Sequence, residues 1–177
     1  MIKFLVCGNV KAPKRKPGDA GFDFFVPEYS DEFKTRLYQE NGIYPDGERS
    51  DAWVSKEIIY LMPGADIKIP TMVRALIPED ECLRMSNKSG VALKQKLVVG
   101  AEIIDSSYEG EMNMHVFNVS NHVVTIEFGQ KLVQAVPLKI DPEAYEVEYE
   151  MSMSVETFYM RHDHSRGEGG FGSTGLK

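Results

Sequence analysis

The residue types best suited to chemistry lie close to the C-terminal end of this 177-residue sequence, in the run Arg166-Gly167-Glu168-Gly169-Gly170-Phe171-Gly172-Ser173-Thr174-Gly175. Glycine leaves backbone N–H groups exposed, and the run adds a cation, an aromatic ring and hydroxyls, a composition that suits a polyphosphate. Because glycine loses more conformational entropy on ordering than any other residue, we expect the segment to order over a ligand. A flexible terminal tail is the alternative interpretation of such a Gly-rich end.

A second candidate is the segment Asp105-Ser106-Ser107-Tyr108-Glu109-Gly110, which follows a largely apolar run from residue 96 to 104. Asp105 therefore stands where a strand meets a turn, and a hairpin tip can present a carboxylate and an aromatic ring to one cleft. An aspartate is normally ionised at neutral pH, as a general base must be. From the residues alone, an Asx-type turn at a hairpin is the alternative.

Composition limits the classes of protein to which the chain can belong. Hydrophobic residues make up 42% and charged residues 27%, as in ordinary globular domains, and the length fits one domain with or without an insertion. The net charge of −7 argues against a nucleic-acid partner, because such binding depends on cations that contact phosphates. Cys7 and Cys82 are too few for a disulfide framework and have no metal-ligand spacing.

The sequence gives no sign of a membrane segment. No apolar stretch approaches the roughly 20 residues that a transmembrane helix needs. The apolar start, residues 1–6, is too short for a signal peptide. We therefore expect a cytoplasmic protein with no membrane partner.

Alternation of apolar and polar residues, punctuated by proline and glycine, dominates over helical periodicity. The predicted strands are 2–7, 22–26, 57–61, 66–77, 96–104, 115–128 and 131–140, with a further alternating pattern at Tyr145, Val147 and Tyr149. Many short strands with little helix predict an all-β fold, namely a sandwich, jelly roll or barrel.

One segment departs from the β pattern. The spacing of Phe33, Leu37 and Tyr38 predicts a short amphipathic helix from Ser30 to Asn41. Ser30 suits the N-cap, and Gly42 suits the position after the last turn. With the polar stretch that follows, the helix is interpreted as an insertion at about 28–55 between two strands.

Both chemical segments resemble motifs of the trimeric dUTPase family. The C-terminal run matches its Arg-Gly-x-Gly-Gly-Phe-Gly-Ser-Thr-Gly motif position for position, and residues 104–110 match its Ile-Asp-x-x-Tyr-x-Gly motif. The resemblance implies that Asp105 orients and deprotonates the attacking water and that Tyr108 stacks under deoxyribose. It also implies that the backbone of residues 102–104 reads uracil and that Phe171 stacks on the base.

Three further segments resemble family motifs around the phosphates. Residues 87–94 are similar to Pro-Arg-Ser-Gly-Leu-Ala, with Lys88 in place of arginine, and residues 129–134 are similar to Gly-x-Arg-Ile-Ala-Gln, with Lys131 in place of arginine. Residues 19–23 match Ala-Gly-x-Asp, in which the aspartate, here Asp23, holds the water around a magnesium ion bound to the triphosphate. The substrate-binding residues implied by the resemblance are Lys88, Ser89, Gly90, Glu102, Ile103, Ile104, Tyr108, Gln134, Arg166, Phe171, Gly172, Ser173 and Thr174.

The resemblance runs from about residue 19 to 175 and implies a jelly-roll homotrimer with active sites shared between subunits. It implies hydrolysis of dUTP to dUMP and pyrophosphate with Mg²⁺, which limits uracil incorporation into DNA and supplies dUMP. It divides the chain into a β domain, residues 1–165, and a mobile substrate-closing arm, residues 166–177. The insertion near 28–55 and the connection 141–162 lie outside the resemblance.

Two other functions remain open from the sequence. A dCTP deaminase of the same superfamily uses a glutamate where this chain has His115, and it lacks the glycine-rich C-terminal motif. A regulatory or structural protein on the same fold is the other alternative. A basic cluster, Lys11, Lys14, Arg15 and Lys16, is interpreted as a solvated loop that raises the potential near the phosphates.

Overall fold

The computed structural model describes residues 1–43, 51–55, 57–141 and 143. The chain divides into two units, Met1–Pro142 and Glu143–Lys177, and every described helix and strand belongs to the first. The alternating pattern at Tyr145, Val147 and Tyr149 and the whole glycine-rich run lie outside the described residues. Arg166, Phe171, Gly172, Ser173 and Thr174 therefore stay predictions.

Within the described residues the chain forms twelve strands, one α-helix and one π-helical turn, which confirms the all-β class with a short helix. The elements are β1 (Lys3–Val6), β2 (Phe22–Phe25), α1 (Asp31–Asn41), β3 (Ala52–Ser55), β4 (Ile58–Leu61), β5 (Asp66–Pro70), β6 (Val73–Leu76), β7 (Glu81–Asn87), the π-helix (Val91–Gln95), β8 (Leu97–Val99), β9 (Ile103–Ile104), β10 (Asn113–Asn118), β11 (Val124–Glu127) and β12 (Lys131–Lys139).

The strands pair antiparallel in four sheets. A four-stranded sheet has the order β2-β12-β7-β9, two three-stranded sheets have the orders β5-β10-β8 and β11-β4-β3, and β1 pairs with β6. In the largest sheet Gln134 of β12 lies opposite both Asp23 of β2 and Ser86 of β7. Directly opposed residues of antiparallel strands project to the same face, so this register places three polar side chains side by side.

Three predicted strands are each interrupted. Residues 66–77 break at Thr71–Met72, where Met72 has a φ of 57° and the buried Thr71 hydroxyl donates to Met112 O at 2.7 Å. Residues 96–104 divide into β8 and β9, and residues 115–128 into β10 and β11. The residue pattern did not predict β3, which lies inside the proposed insertion, or β7, in which the adjacent buried residues Cys82 and Leu83 interrupt the alternation.

The predicted helix is confirmed together with both caps. The Ser30 hydroxyl accepts the Phe33 N–H at 3.1 Å, and Gly42 ends the helix in the left-handed region with a φ of 62°. Phe33 and Leu37 are buried, and the Phe33 ring meets Phe128 edge-on at 5.5 Å. The helix therefore belongs to the core of the domain, although its status as an insertion stays a prediction.

The core that supports these elements is aliphatic and aromatic. Its largest fully buried side chains include Phe24, Ile59, Ile67, Leu83 and Met85. Neither cysteine forms a disulfide within the described residues, and Cys7 is exposed whereas Cys82 is buried. Across the described ranges, none of the helices has the length and apolar character needed to cross a membrane.

Candidate active site

A cavity of about 590 Å³ opens beside the hairpin that carries Asp105. Asp105 and Tyr108 line it together, as the sequence predicts, and Ile103 and Ile104 form part of its wall. Its other lining residues come from α1, β5, β10 and the adjacent turns, and they are Glu40, Asn41, Asp66, Lys68, Ala101, Glu111, Asn113 and His115. Strands distant in sequence therefore build most of this cavity.

The hairpin tip is held by its own hydrogen bonds. The Tyr108 N–H donates to Asp105 O at 3.1 Å, and the Tyr108 hydroxyl donates to Glu111 O at 2.9 Å. A Cβ at Gly110 would lie 2.3 Å from the Tyr108 ring, so only glycine lets the ring lie across the backbone there. This contact gives the glycine of the Asp-x-x-Tyr-x-Gly pattern a steric reason.

Glu111 connects the hairpin to helix α1. Its carboxylate accepts the Met72 N–H at 2.9 Å and pairs with Arg36, which also lies 3.0 Å from Glu40. The hydrogen bond to Glu111 outweighs burial and, with the help of Glu40, raises the pKa of Arg36 above its usual value. The helix thus braces the segment that holds Tyr108.

His115 braces the other side of the cavity. The Ala101 N–H donates to His115 Nδ1 at 3.1 Å, so the ring proton lies on Nε2, which faces Asp66 Oδ2 at 2.9 Å. A Cβ at Gly100 would lie 2.4 Å from His115 Nδ1, which explains the glycine at that turn. Nδ1 therefore positions the turn that precedes β9, and Nε2 connects the ring to β5.

Glu102 differs from the other predicted base-binding residues. Its carboxylate pairs with Arg84 at 2.8 Å, its carbonyl accepts the Met85 N–H at 2.6 Å, and it does not line the cavity. The side chain is thus directed to the neighbouring strand. Ile103, which is 55% exposed, and Ile104 present the hairpin to the cavity instead.

A second cavity, of about 470 Å³, is lined by Asp23 and Lys131. Of the other residues predicted around the phosphates, Lys88 contacts Asp23 but does not line this cavity. Lys88 contacts one oxygen of this mostly buried carboxylate, and Lys131 Nζ lies 2.8 Å from the other. Burial raises the pKa of Asp23, but hydrogen bonds and charge from Lys131 and Lys88 outweigh it, so the pKa lies below 3.8. The carboxylate is therefore held charged between two ammonium groups.

Gln134 and the segment after β7 complete this second group. Gln134 Nε2 donates to Asn87 O at 3.0 Å, while Asn87 Oδ1 accepts the Val99 N–H at 2.7 Å. These bonds fix the point from which Lys88, Ser89 and Gly90 continue. Ser89 and Gly90 are exposed, and a Cβ at Gly90 would meet open space, so packing within the chain does not require glycine there.

The predicted residues thus fall into two groups in the described part of the chain. Asp105 and Tyr108 line the first cavity, whereas Asp23 lines the second, and the two cavities share no lining residue. The sequence did not point to Arg36, Asp66, Glu111 or Asn113, and it marked His115 only as a replacement for a deaminase glutamate. No local spacing identifies these residues, because pairing of α1, β5 and β10 brings them together.

The described residues contain no cluster of three or more histidine, cysteine, aspartate or glutamate side chains that could hold a metal ion. Asp23 has both carboxylate oxygens engaged by lysine. Two ammonium groups around one carboxylate suit an anion. They also suit a metal ion that is bound by that anion and contacts Asp23 through water.

The lysine contacts predict the titration of Asp23. In Lys131→Met the pKa of Asp23 should rise, because a hydrogen bond and a positive charge are removed while burial remains. The ion pairs stabilise the fold above the unfolded pKa, near 3.8, and this stabilisation is lost as the pH falls through the lower folded pKa. Carbon-13 NMR of the Asp23 carboxyl carbon against pH measures the shift.

Lys139→Met is the matched control, because Lys139 pairs with Asp80 at 2.6 Å rather than with Asp23. It should leave the titration of Asp23 unchanged and raise the pKa of Asp80, which Lys139 holds down. An unchanged Asp23 titration in Lys131→Met would contradict the assigned contact.

Known proteins include similar sequences. The dUTPase family model matches residues 53–175. The deoxyuridine 5′-triphosphate nucleotidohydrolase of Arabidopsis thaliana is 30% identical over 97% of this chain and its own full length. The Oryza sativa enzyme of the same name is 36% identical over 81% of this chain and 80% of its own.

Solved structures agree with the fold. The dUTPase of Staphylococcus bacteriophage 80alpha, as a point mutant with dUpNHpp, superposes with a TM-score of 0.64 at 24% identity over 99% of both chains. The EIAV dUTPase superposes with a TM-score of 0.60 at 22% identity over 86% of this chain and 100% of its own. These likenesses confirm the jelly-roll class, although the described sheets do not close into one barrel. The chain belongs to the dUTPase family.

Proposed function

We propose that the chain hydrolyses dUTP to dUMP and pyrophosphate, and so limits uracil incorporation into DNA. The observation that carries this proposal is the joint position of Asp105 and Tyr108 in one cavity, at the hairpin that matches the family motif. The curated relatives bear the name of this activity. The cytoplasmic location expected from the sequence stays a prediction.

Asp105 is the general base in this proposal. Its side chain is exposed to the cavity, and among the described residues it forms no ion pair, so its oxygens are available to a water molecule. The carboxylate takes a proton from water while the water oxygen bonds to the attacked phosphorus. The α–β phosphoanhydride bond then breaks, and its electron pair leaves with pyrophosphate.

Tyr108 selects the sugar. Its hydroxyl is anchored to Glu111 O at 2.9 Å and Gly110 lies directly against the ring, so the ring has little freedom to yield. A ring held in this way under deoxyribose leaves no space for a 2′-hydroxyl. The neighbouring backbone of Ile103 and Ile104 is the proposed uracil contact, and Glu102 is the weakest member of this set, since it lies outside the cavity wall.

The phosphates are proposed to bind the second group of residues. Lys88, Ser89 and Gly90 follow β7 at an exposed position, with Gln134 fixing the end of that strand. The resemblance adds Arg166, Phe171, Gly172, Ser173 and Thr174 from the C-terminal arm. Donors aimed at a triphosphate assist the reaction most where charge develops on the leaving group.

Magnesium is the proposed cofactor, and the residues fit it only as an ion that the triphosphate brings. Asp23 is the residue that the resemblance assigns to the ion. Both of its carboxylate oxygens contact Lys88 and Lys131, so Asp23 would contact the ion through water. When bound, the ion spreads the charge of the triphosphate. The phage phi11 dUTPase, a neighbour in fold, has a structural Mg(II) ion.

A homotrimer with shared sites is the proposed assembly. Its support is that Asp105 and Tyr108 line the first cavity whereas Asp23 lines the second, and that among the described residues the two cavities have no lining residue in common. One nucleotide needs both the base-reading hairpin and the residues around Asp23. Subunits that face each other would bring the first cavity of one to the second cavity of its neighbour. The proposed arm, residues 166–177, closes over such a site.

Deamination of dCTP is less favoured. The position that carries a glutamate in the deaminase is His115 here, and both of its ring nitrogens are engaged by Ala101 and Asp66. A ring bound in this way has no free nitrogen to act on an amine.

A panel of nucleotides tests the activity. With magnesium, pyrophosphate release should be fastest with dUTP and at least about 10-fold slower with UTP and dTTP, because a site shaped for one sugar and base rejects the extra groups. Chelation of magnesium should stop the reaction. Equal rates with UTP or dTTP would contradict the specificity, and ammonia release from dCTP would favour the deaminase.

The base assignment is tested by Asp105→Asn, which keeps the shape of the side chain but cannot take up a proton. Its kcat should fall by about 10²–10⁴-fold with little change in binding of a non-hydrolysable analogue. Glu109→Gln, which neutralises another exposed carboxylate of the same hairpin, is the control and should retain its kcat. A near-normal kcat in Asp105→Asn would make Asp105 a turn residue only.

The shared site is tested by removing the arm after His164. This variant should keep its fold and assembly and lose about 10²-fold or more in turnover, because the donors of the arm act on developing charge. Mixing it with Asp105→Asn chains should restore activity, since some hybrid sites would combine an intact Asp105 with an intact arm. The control mixture uses Asp105→Asn chains that also lack the arm. A fully active monomer in sedimentation would contradict the shared site.

A further inference from the structure

The second cavity is lined by more cationic side chains than the family resemblance predicts as substrate-binding residues. Four cations and two carboxylates line it: Lys14, Arg15, Lys16, Lys131, Asp19 and Asp23. The resemblance begins only at residue 19, and the sequence predicts that the basic cluster before it is a solvated loop. The structure places part of this cluster in the cavity wall.

Backbone pairing fixes the position of Lys14. The Lys14 N–H donates to Asp23 O at 3.1 Å, and the Asp23 N–H donates to Lys14 O at 2.7 Å. This exchange adds Lys14 to the β2 edge as an opposed residue of an antiparallel bridge. Opposed residues share a face, and Asp23 is in turn opposite Gln134. Lys14 therefore lies on the face of the sheet that carries the proposed phosphate donors.

The rest of the loop is held in place as well. Asp19 Oδ2 accepts the Lys16 N–H at 3.1 Å, and the Asp19 N–H donates to Lys16 O at 3.1 Å. Arg15 Nε donates to Asp19 O at 2.8 Å, and its guanidinium lies 5.7 Å from the centre of the Phe22 ring. Arg15 and Asp19 thus stabilise the loop, and the ammonium groups of Lys14 and Lys16 remain for another partner.

The charge around Asp23 is unbalanced. Lys88 and Lys131 already engage its carboxylate, so adding Lys14 and Lys16 leaves an excess of positive charge in a concave surface. Within the part of the chain that the structure describes, Lys14 and Lys16 form no ion pair of their own. In a chain of net charge −7, a local excess of this kind attracts a small anion with several charges.

We propose that Lys14, with Lys16, forms an additional phosphate-binding position, which takes the outer phosphates of the triphosphate and then the pyrophosphate product. This proposal rests on the proposed function. The position lies one strand beyond Asp23, counted from Gln134, and so extends the set of phosphate donors at its outer end. Lysine suits it, because a flexible point charge holds an anion without fixing its orientation, as a departing product requires.

Calorimetric titration of the full chain with pyrophosphate, and separately with dUMP, tests the proposal. Lys14→Gln should weaken pyrophosphate binding by about 3–10-fold, the effect of losing one exposed charged contact, and leave dUMP binding unchanged. The KM for dUTP should rise by a similar factor. Lys14→Arg should retain pyrophosphate binding, and the backbone bonds of residue 14 should preserve the fold in both variants.

Lys3→Gln is the control, because it removes the same charge from an exposed residue of β1 that does not line the cavity. If Lys14→Gln binds pyrophosphate as Lys3→Gln does, the position does not bind phosphate. Equal weakening of dUMP and pyrophosphate would also overturn the proposal, because the effect would then be general. If the wild-type chain does not hydrolyse dUTP, the proposed function is refuted. The titration with pyrophosphate measures binding directly and does not require dUTP hydrolysis, so the two failures can be distinguished.

Discussion

The position of β12 between β2 and β7 is the constraint on which the phosphate half of the site depends. Its register sets Gln134 beside Asp23 on one side and beside Ser86 on the other. A shift by one residue would turn Gln134 to the opposite face, because side chains alternate along a strand. Gly21 protects this register, since a Cβ there would lie 2.8 Å from Ala135 O.

The hairpin with Asp105 depends on different contacts, which come from outside its own sequence. Arg36 of α1 holds Glu111, whose backbone holds the Tyr108 hydroxyl, and His115 of β10 holds the turn at Ala101. A residue exposed at a hairpin tip is normally mobile, and each of these contacts restricts it. The helix that resembles no family motif is therefore a structural support of the hairpin that carries Asp105 and Tyr108.

The sequence predicted the parts of the fold that local chemistry determines. The helix, its Ser30 and Gly42 caps and most strands follow from patterns of a few neighbouring residues. The breaks at Met72 and in the 96–104 segment did not follow, because tertiary hydrogen bonds and close packing around Gly100 cause them. The joint position of Asp105 and Tyr108 in one cleft follows from a motif of neighbouring residues. The side chains that hold this hairpin, Arg36 and Glu111, are brought together only by the tertiary fold, so the sequence does not predict them.

The contacts of Asp23 explain why lysine can stand at the two positions where the family motifs have arginine. Lys88 and Lys131 converge on the same carboxylate, Asp23, and each needs only one contact to do so. The guanidinium of an arginine could donate two hydrogen bonds, but each lysine here contacts only one oxygen of Asp23. Lysine in place of arginine therefore loses little. The charge of the pair is then partly neutralised by Asp23, and a nearby cation of independent position, such as Lys14, restores the positive potential that a triphosphate requires.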